Sequence, residues 1–191
     1  MKVVKKIQID HLDFELLINQ EKLSRRIRQL AKEISRDYSG KVPIFVGVLN
    51  GAILFMADLI RQLTIDCEID FIKISSYGDK RVSSGQITMI KDFSADLYER
   101  DIIVVEDIVD SGRSVQYLKK RIESMKPTGV KFVSLLVKKD CSVVPLKIDY
   151  VGFEIMNKFV IGYGLDLAQQ KRNLNAIYQV KEREFSEIKE K

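Results

Sequence analysis

Uninterrupted apolar runs alternate along this chain with segments of helical periodicity. Residues 102–105 are four β-branched residues without a polar break, which is typical of a strand buried on both faces inside a parallel sheet. Apolar residues then recur at helical spacing over 115–125, until Pro127 and Gly129 end the helix and another apolar run begins at residue 130. This succession predicts a strand, loop, helix and strand of a parallel sheet, whose ligands bind at the carboxyl ends of the strands.

The same patterns predict most of the remaining secondary structure. An apolar stripe indicates an amphipathic helix after an N-terminal lead-in, with Asn19 capping its start and Gly40 its end. Residues 76–85 form a polar loop rich in glycine, serine and charge between two predicted strands. The stripe consists of Leu23, Ile27, Leu30 and Ile34, and further strands are predicted at residues 43–49, 66–75, 86–90 and 150–155.

Composition indicates a single soluble domain. The chain has 191 residues, enough for one domain with a sizeable core, and its 46% hydrophobic and 31% charged residues are ordinary for a globular protein. Neither a membrane span nor the apolar core of a signal peptide is predicted. Cys67 and Cys141 lack metal-ligand spacing, so we expect reduced thiols in a cytoplasmic protein.

Charge and histidine content disfavour two classes of function. The net charge is +5, but the basic residues are interleaved with acids, whereas a nucleic-acid-binding protein more often gathers them on one face. A modest positive field that attracts polyanionic small molecules is the milder interpretation. His11 is the only histidine and has polar neighbours, which disfavours Ser–His–Asp and Cys–His catalysis.

The candidate chemistry begins directly after the run at 102–105. Glu106, Asp107 and Asp110 precede a small turn, residues 111–114, which opens the predicted helix with unpaired N–H groups that favour a phosphate. Carboxylates repel a bare phosphate unless the ligand also brings hydroxyl groups, a divalent cation or a proton to be taken. A sugar phosphate with Mg²⁺ brings the first two, and a weakly acidic N–H the third. A solvated acidic loop is the simpler alternative.

A second strand leads into a glycine turn and a helix at Asn50-Gly51-Ala52. Such a turn is weak evidence alone, but a substrate with two separated phosphate groups needs two anion sites. Lys138 follows another predicted strand and, unless it is a solvated strand end, points into the same crevice. These positions together predict a phosphate-binding crevice lined by acids and one lysine.

Residues 104–114 have two apolar residues, two acids, two apolar residues and then Asp-Ser-Gly-x-Ser, which resembles the diphosphoribosyl-binding signature of type I phosphoribosyltransferases. Residues 134–138 resemble the purine-recognition segment, and 158–166 the base-stacking and metal segment, of the hypoxanthine-guanine phosphoribosyltransferases. The resemblance spans about residues 20 to 180. It implies an α/β fold, with a twisted, mainly parallel sheet and helices on both faces. One domain, residues 1–191, would carry a small hood formed from the N- and C-terminal segments.

The resemblance also implies the role of each candidate residue. The ribose-phosphate subsite comprises Glu106, Asp107, Asp110, Ser111, Gly112, Arg113 and Ser114, and Asp110 is the catalytic residue that accepts the purine N7 proton. The purine subsite comprises Ile108, Lys138, Phe159, Val160 and Asp166, with Lys138 bonded to the oxygen on C6 and Phe159 stacked on the base. The pyrophosphate subsite comprises Leu49, Asn50, Gly51 and Arg172. The lid carries Ser76 and Tyr77, and Mg²⁺ is held by Glu106, Asp107 and Asp166.

Two features of the pyrophosphate turn follow from the family. A non-proline cis peptide is usual there, and members often carry Lys or Arg where this chain has Asn50. The departure leaves the backbone contribution intact, since the N–H groups do most of the binding.

The implied activity is purine salvage, in which the phosphoribosyl group of 5-phosphoribosyl 1-diphosphate moves to N9 of hypoxanthine or guanine. We expect small-molecule substrates, no nucleic acid, no membrane, and a homodimer or homotetramer. Two alternatives stay open: a phosphoribosyltransferase for another base such as xanthine, and an RNA-binding regulator with this fold. Lys138 disfavours adenine, whose 6-amino group cannot accept its proton.

Overall fold

The computed structural model describes residues 6–9, 12–77, 86–139 and 147–181. His11, Cys141 and residues 78–85 of the predicted lid lie outside the described residues. In chain order the elements are β1 (Lys6–Ile9), β2 (Leu12–Ile18), α1 (Gln20–Asp37), β3 (Ile44–Leu49), α2 (Ile53–Ile60), β4 (Glu68–Tyr77), β5 (Gln86–Lys91), β6 (Asp101–Val109), α3 (Arg113–Glu123), β7 (Gly129–Lys138), β8 (Tyr150–Ile155), β9 (Val160–Ile161) and β10 (Ile177–Val180).

The larger sheet has six strands in the order β5-β4-β3-β6-β7-β8. All neighbours pair in parallel except β4 and β5, which are antiparallel. Helices α1 and α2 pack on one face of this sheet and α3 packs on the other, so the prediction of a mainly parallel sheet with helices on both faces is confirmed. Both faces being covered explains why β6 is apolar at successive positions: Ile103 belongs to one core cluster and Val104 to the other.

Helix α1 forms where the apolar stripe predicts it. Asn19 is its N-cap, and the side-chain oxygen accepts a 2.9 Å hydrogen bond from the N–H of Lys22. Tyr38 is the C-cap, and Gly40 two residues later has a φ of +76°, which favours glycine where the chain turns away. The predicted cap at Asn19 is therefore confirmed, whereas the C-cap is Tyr38 and not the predicted Gly40, which lies two residues beyond it.

The second sheet joins the two ends of the described chain in the order β1-β2-β10-β9, and every pair in it is antiparallel. It has its own apolar cluster, in which Phe14 and Ile161 are fully buried. Strand β2 was not predicted, because the residues before α1 were interpreted as a lead-in. The signal was present, because Leu12, Phe14, Leu16 and Ile18 alternate with polar or less buried positions.

Strand β6 is longer than the sequence predicts and continues to Val109, which pairs with Val137 of β7. Glu106 and Asp107 therefore lie within the strand, not in the loop that follows it, and Lys138 is the last residue of β7 instead of the residue after it. Among the described residues, no helix is both long and apolar enough to cross a membrane.

Candidate active site

The turn between β6 and α3 forms a cavity at the carboxyl edge of the large sheet. Gly112 is the N-cap of α3 and has a φ of +79°, a left-handed conformation that glycine adopts without steric strain. Arg113 is exposed and lies outside the lining, but the other residues predicted for the ribose-phosphate subsite border the cavity. Its volume is about 180 Å³, and it is lined by Val48, Ile74, Glu106, Asp107, Ile108, Val109, Asp110, Ser111, Gly112, Ser114 and Val115.

Asp110 and Lys138 form an ion pair at this edge. Nζ of Lys138 donates a 2.7 Å hydrogen bond to Oδ2 of Asp110, although the residues are 28 positions apart. The lysine side chain is only 11% exposed, whereas the carboxylate is 58% exposed and therefore open to a ligand. The adjacency of β6 and β7 thus brings together the proposed proton acceptor and the proposed base-reading cation.

Glu106 and Asp107 are unusual acids because Glu106 is buried and Asp107 is partly buried. Glu106 is 5% exposed, and burial together with the neighbouring Asp107 raises its pKa well above the usual range. Burial also raises the pKa of Asp107, to about 6, and Asp166 contributes in the same direction. The N–H of Ile108, 2.8 Å from Oδ1 of Asp107, and the charge of Arg172 oppose that shift. A cation brought to this site would stabilise the ionised form of Asp107.

Three segments meet without room for an additional methyl group. A Cβ on Gly51 would lie 1.6 Å from Oδ2 of Asp107, and a Cβ on Gly164 would lie 2.0 Å from the carbonyl oxygen of Gly51. The pyrophosphate turn, the acid of β6 and the segment after β9 are therefore in direct contact. The peptide bond between Leu49 and Asn50 is cis, as the resemblance predicts.

Residues 162–172, which we name the glycine-tyrosine loop, carry Asp166 and Arg172. The guanidinium of Arg172 lies 2.8 Å from Oδ1 of Asp166 and donates hydrogen bonds to the carbonyl of Gly164 at 2.7 Å and to Gln169 at 3.0 Å. The N–H of Gln169 donates to Oδ2 of Asp166 at 2.7 Å. The close approach of Gly164 to the carbonyl oxygen of Gly51 places this loop beside the pyrophosphate turn.

The remaining predicted site residues lie at β9, on β6 and at the end of β4. Phe159 precedes β9, is partly buried and packs on the small apolar cluster, with its ring centroid 6.4 Å from that of Phe14. Val160 begins β9 and is buried, and Ile108 packs on the core of the large sheet. Ser76 and Tyr77 end β4, paired with β5. These positions do not by themselves test the purine-binding and lid assignments, which stay predictions.

The carboxylates fit a magnesium ion that a diphosphate also ligates. Among the described residues, no group of three or more His, Cys, Asp and Glu side chains could hold a metal alone. Mg²⁺ commonly binds proteins through one or two carboxylates and completes its octahedron with water and substrate phosphates. Asp107 and Asp166 supply two such carboxylates, and the segments that carry them both contact Gly51. The deeply buried Glu106 fits a ligand role less well.

Gly164, Tyr163 and Asp58 contribute to the site although no role was predicted for them. Gly162 and Gly164 flank a tyrosine, and all three residues have positive φ values of +94°, +52° and +100° in chain order. Two glycines around one aromatic residue are the signal that could have indicated a tight, left-handed turn. The partner of the tyrosine, Asp58, was not discoverable from local sequence, because it lies 105 positions away.

Comparison with known proteins agrees with this geometry. The family described as "Phosphoribosyl transferase domain" matches residues 15–168. The chain is 44% identical over 178 residues to the "Bifunctional protein TilS/HprT" of Listeria monocytogenes, covering 93% of this chain but only 28% of that protein. It is 41% identical to the hypoxanthine-guanine phosphoribosyltransferase of Bacillus subtilis, over 84% of this chain and 89% of the relative.

A crystal structure of a hypoxanthine-guanine phosphoribosyltransferase from Bacillus anthracis superposes with a TM-score of 0.83 at 40% identity, over 87% of this chain and 98% of that one. The fold, the β6–α3 turn and these matches define a phosphoribosyltransferase. The chain belongs, within that class, to the hypoxanthine-guanine phosphoribosyltransferase family.

Proposed function

We propose that this chain transfers the 5-phosphoribosyl group from 5-phosphoribosyl 1-diphosphate to N9 of hypoxanthine or guanine. The products are IMP or GMP and pyrophosphate, which makes the reaction a step of purine salvage. The observation that carries the proposal is the Lys138–Asp110 pair, 2.7 Å apart at the strand edge beside the phosphate turn. The oxygen on C6 and N7 are neighbouring atoms of a 6-oxopurine, so adjacent donor and acceptor groups can read both.

The chain's own residues divide the substrate between two sites. The N–H groups of the Ser111–Ser114 turn, which opens α3, would bind the 5-phosphate of the donor. Glu106 and Asp107 would accept hydrogen bonds from the ribose hydroxyls, and ionised Asp107 would favour the positive charge that the sugar develops. The cis turn at Asn50 and Gly51, together with Arg172, would hold the departing pyrophosphate.

Asp110 would accept the proton of purine N7 while N9 attacks the sugar. Its carboxylate is exposed enough to contact the base. Before the base binds, the ion pair with Lys138 holds the carboxylate at the strand edge. Phe159 would stack on the base, Val160 would offer backbone groups to its edge, and Ile108 and Asp166 would border it. The Ser76–Tyr77 segment would close over the site and exclude water from the reactive sugar.

The same proposal includes Mg²⁺ as the cofactor. Bound to the donor diphosphate, the ion would neutralise the charge that develops on the leaving group. Asp107 and Asp166 would ligate the ion directly. Glu106, which is buried next to Asp107 in β6, would add negative charge to the metal site. This arrangement is supported by the shared electrostatic environment of Asp107, Asp166 and Arg172.

Three further properties belong to the proposal. The β1-β2-β10-β9 sheet would act as the hood, since it carries Val160 and leads into the glycine-tyrosine loop.

The described thiol, Cys67, is free, which fits a cytoplasmic location. We propose a homodimer or homotetramer, which sedimentation at several protein concentrations would distinguish from a monomer.

Product analysis tests the activity directly. The purified chain should convert hypoxanthine and guanine, but not adenine, to the corresponding monophosphate when supplied with the diphosphate donor and Mg²⁺. Xanthine in a parallel reaction measures how far the 6-oxopurine preference extends. Absence of nucleotide with all four bases would reject the proposal, and conversion of adenine alone would move the chain to another branch of the superfamily.

A further inference from the structure

Tyr163 connects the glycine-tyrosine loop to helix α2. Its side chain is 7% exposed, and the hydroxyl donates a short hydrogen bond to Oδ2 of Asp58. Burial raises the pKa of this hydroxyl, and the Asp58 carboxylate raises it further, so the tyrosine stays a proton donor. Arg61 pairs with the other oxygen of Asp58.

The backbone of Tyr163 is itself unusual. Its φ of +52° is uncommon for a bulky residue, and the flanking glycines extend the left-handed stretch to three residues. A conformation of this kind persists where the surrounding structure holds it in place. The N–H of Tyr163 donates to the carbonyl of Leu174 at 2.8 Å, and the ring packs in the core of the large sheet.

Helix α2 is the element that links both halves of the pyrophosphate subsite. It begins directly after Gly51 and Ala52, so the pyrophosphate turn and Asp58 belong to one continuous rigid unit. The glycine-tyrosine loop touches this unit twice: through Gly164 against the carbonyl of Gly51, and through Tyr163 at Asp58. Within the loop, Arg172 and Gly164 exchange hydrogen bonds of 2.7 and 2.9 Å, so a shift of Gly164 moves Arg172 with it.

We propose that Tyr163 and Asp58 are positioning residues, whose hydrogen bond holds Arg172 and Asp166 against the pyrophosphate turn and thereby sets the affinity for the diphosphate donor. Neither residue needs to touch the substrate. This inference rests on the proposed function for its effect on the donor, but the positional effect on the loop is a property of the chain itself.

The leading test is Tyr163→Phe, which removes one hydroxyl group. Asp58 keeps its pair with Arg61 and is 38% exposed, so the change leaves no carboxylate buried without a partner. Loss of a hydrogen bond to a charged group should raise the KM for the donor, and for pyrophosphate in the reverse reaction, about tenfold. The KM for hypoxanthine should stay near the wild-type value. Hydrogen–deuterium exchange of the amides at residues 162–172 should become faster.

The chain provides a matched control in Tyr150. Its hydroxyl also donates to a carboxylate, Asp37, at 2.8 Å, but at the start of β8 and hence at the opposite edge of the sheet. Tyr150→Phe should lower the Tm without changing the KM for the donor or exchange in the loop. Arg61→Gln should likewise have little effect, because the Tyr163–Asp58 bond survives it.

Two variants of Asp58 distinguish the effect of its hydrogen bond to Tyr163 from the effect of its negative charge. Asp58→Asn keeps an oxygen that can accept from Tyr163, so it should resemble the wild type more closely than Asp58→Ala, which should resemble Tyr163→Phe. Unchanged exchange in the loop of both Tyr163→Phe and Asp58→Ala would overturn the inference, even for a chain that makes no nucleotide. Faster exchange with an unchanged donor KM in an active enzyme would overturn its functional half, as would an equal rise in donor KM for Tyr150→Phe.

Discussion

Lys138 and Asp110 neutralise each other across two adjacent strands, with Nζ of the lysine 2.7 Å from Oδ2 of the aspartate. In the proposed reaction both residues contact the purine. The base therefore replaces the single hydrogen bond between Lys138 and Asp110 with two, one from Lys138 to the oxygen on C6 and one from N7 to Asp110. The side chain of Lys138 is only 11% exposed, so a hydrogen bond from its ammonium group to the base is stronger than the same bond in water.

Replacing Lys138 with methionine should remove recognition of the oxygen on C6. A hydrogen bond from a cation at such a site contributes roughly 1.5–3 kcal/mol, so Lys138→Met should raise the KM for hypoxanthine and guanine by about one to two powers of ten. Discrimination against adenine should decrease as well. Steady-state kinetics with each base measure both effects.

The adjacent lysine is the control for this prediction. Lys139 lies 3.2 Å from Glu154 and is 52% exposed, so Lys139→Met should leave the kinetics nearly unchanged. If Lys138→Met retained wild-type selectivity, or if both variants lost it equally, the lysine would have no role in reading the base.

Arg172→Ala should weaken binding of the donor and of pyrophosphate while leaving the nucleotide monophosphate product nearly unaffected. The guanidinium already holds Asp166 and the carbonyl of Gly164, so part of the loss will come from the loop itself. Isothermal titration with pyrophosphate and with the nucleotide monophosphate compares the loss of affinity for the two ligands. Equal loss of affinity for pyrophosphate and for the monophosphate would make the arginine a purely structural residue.

Removal of Mg²⁺ should abolish turnover. The ionised carboxylates of Asp107 and Asp166 repel the diphosphate unless a cation stands between them. Burial, and to a smaller extent the charge of Asp166, already raises the pKa of Asp107, so the site favours a cation that neutralises it. Activity measured after full chelation by EDTA, and again after adding excess Mg²⁺, tests this requirement. Turnover that survived chelation would reject the metal part of the proposal.

Asp70 gives a prediction about stability and pH that is independent of the site. It is 6% exposed, and burial alone would raise its pKa, but hydrogen bonds to ionised oxygen and the charge of Lys91 outweigh burial and lower the pKa below 3.8. Its carboxylate accepts from the N–H groups of Phe71, Ser94 and Ala95 at 2.7, 2.7 and 3.0 Å.

A lowered pKa means that the ionised form favours the folded state, so this contribution is complete above the unfolded pKa and is lost as the pH falls through the folded value. Asp70→Asn should therefore reduce the free energy of unfolding at pH 7 by roughly 2 kcal/mol, and the difference from the wild type should shrink below about pH 4. Urea titrations across this range measure it, with exposed Asp66→Asn as control. A constant difference at all pH values would exclude the carboxylate charge as its cause.

The parts of the fold that the sequence predicts are those whose signal is local. Strand β8 has the bounds predicted from its apolar run, and α1 has the predicted stripe and Asn19 cap, because burial and capping act between residues a few positions apart. The phosphate turn was also identifiable, since Ser111–Ser114 and its acids occupy one continuous segment. These features need no knowledge of the rest of the chain.

The parts that escaped prediction depend on partners far away in sequence. Strand β2 has a local alternating pattern, but that pattern does not show that β2 pairs with β10, more than a hundred residues later, as well as with neighbouring β1. The same holds for Gly51, whose missing side chain makes room for Asp107, and for the bond between Tyr163 and Asp58. The continuation of β6 through Glu106 and Asp107 likewise follows from its pairing with β7.

The strongest prediction concerns Asp110, whose sequence position allows two different roles. A residue just before a helix can cap it, but the N-cap of α3 is Gly112, and the carboxylate of Asp110 accepts from Lys138. The structure therefore favours an acid that is available to the substrate over an acid that stabilises the helix.

Asp110→Asn keeps the shape of the side chain and removes its basicity, so turnover should fall by roughly 10² to 10⁴ while the KM for the donor is retained. The Tm of Asp110→Asn and of Asp110→Ala should both stay close to the wild type, because the side chain is 58% exposed and caps no helix. A capping role predicts the opposite: near-normal turnover for the asparagine variant, since Asn caps about as well as Asp, and a lower Tm for the alanine variant. Measuring turnover and Tm for both variants decides between the two roles, and a fully active asparagine variant would end the general-base assignment.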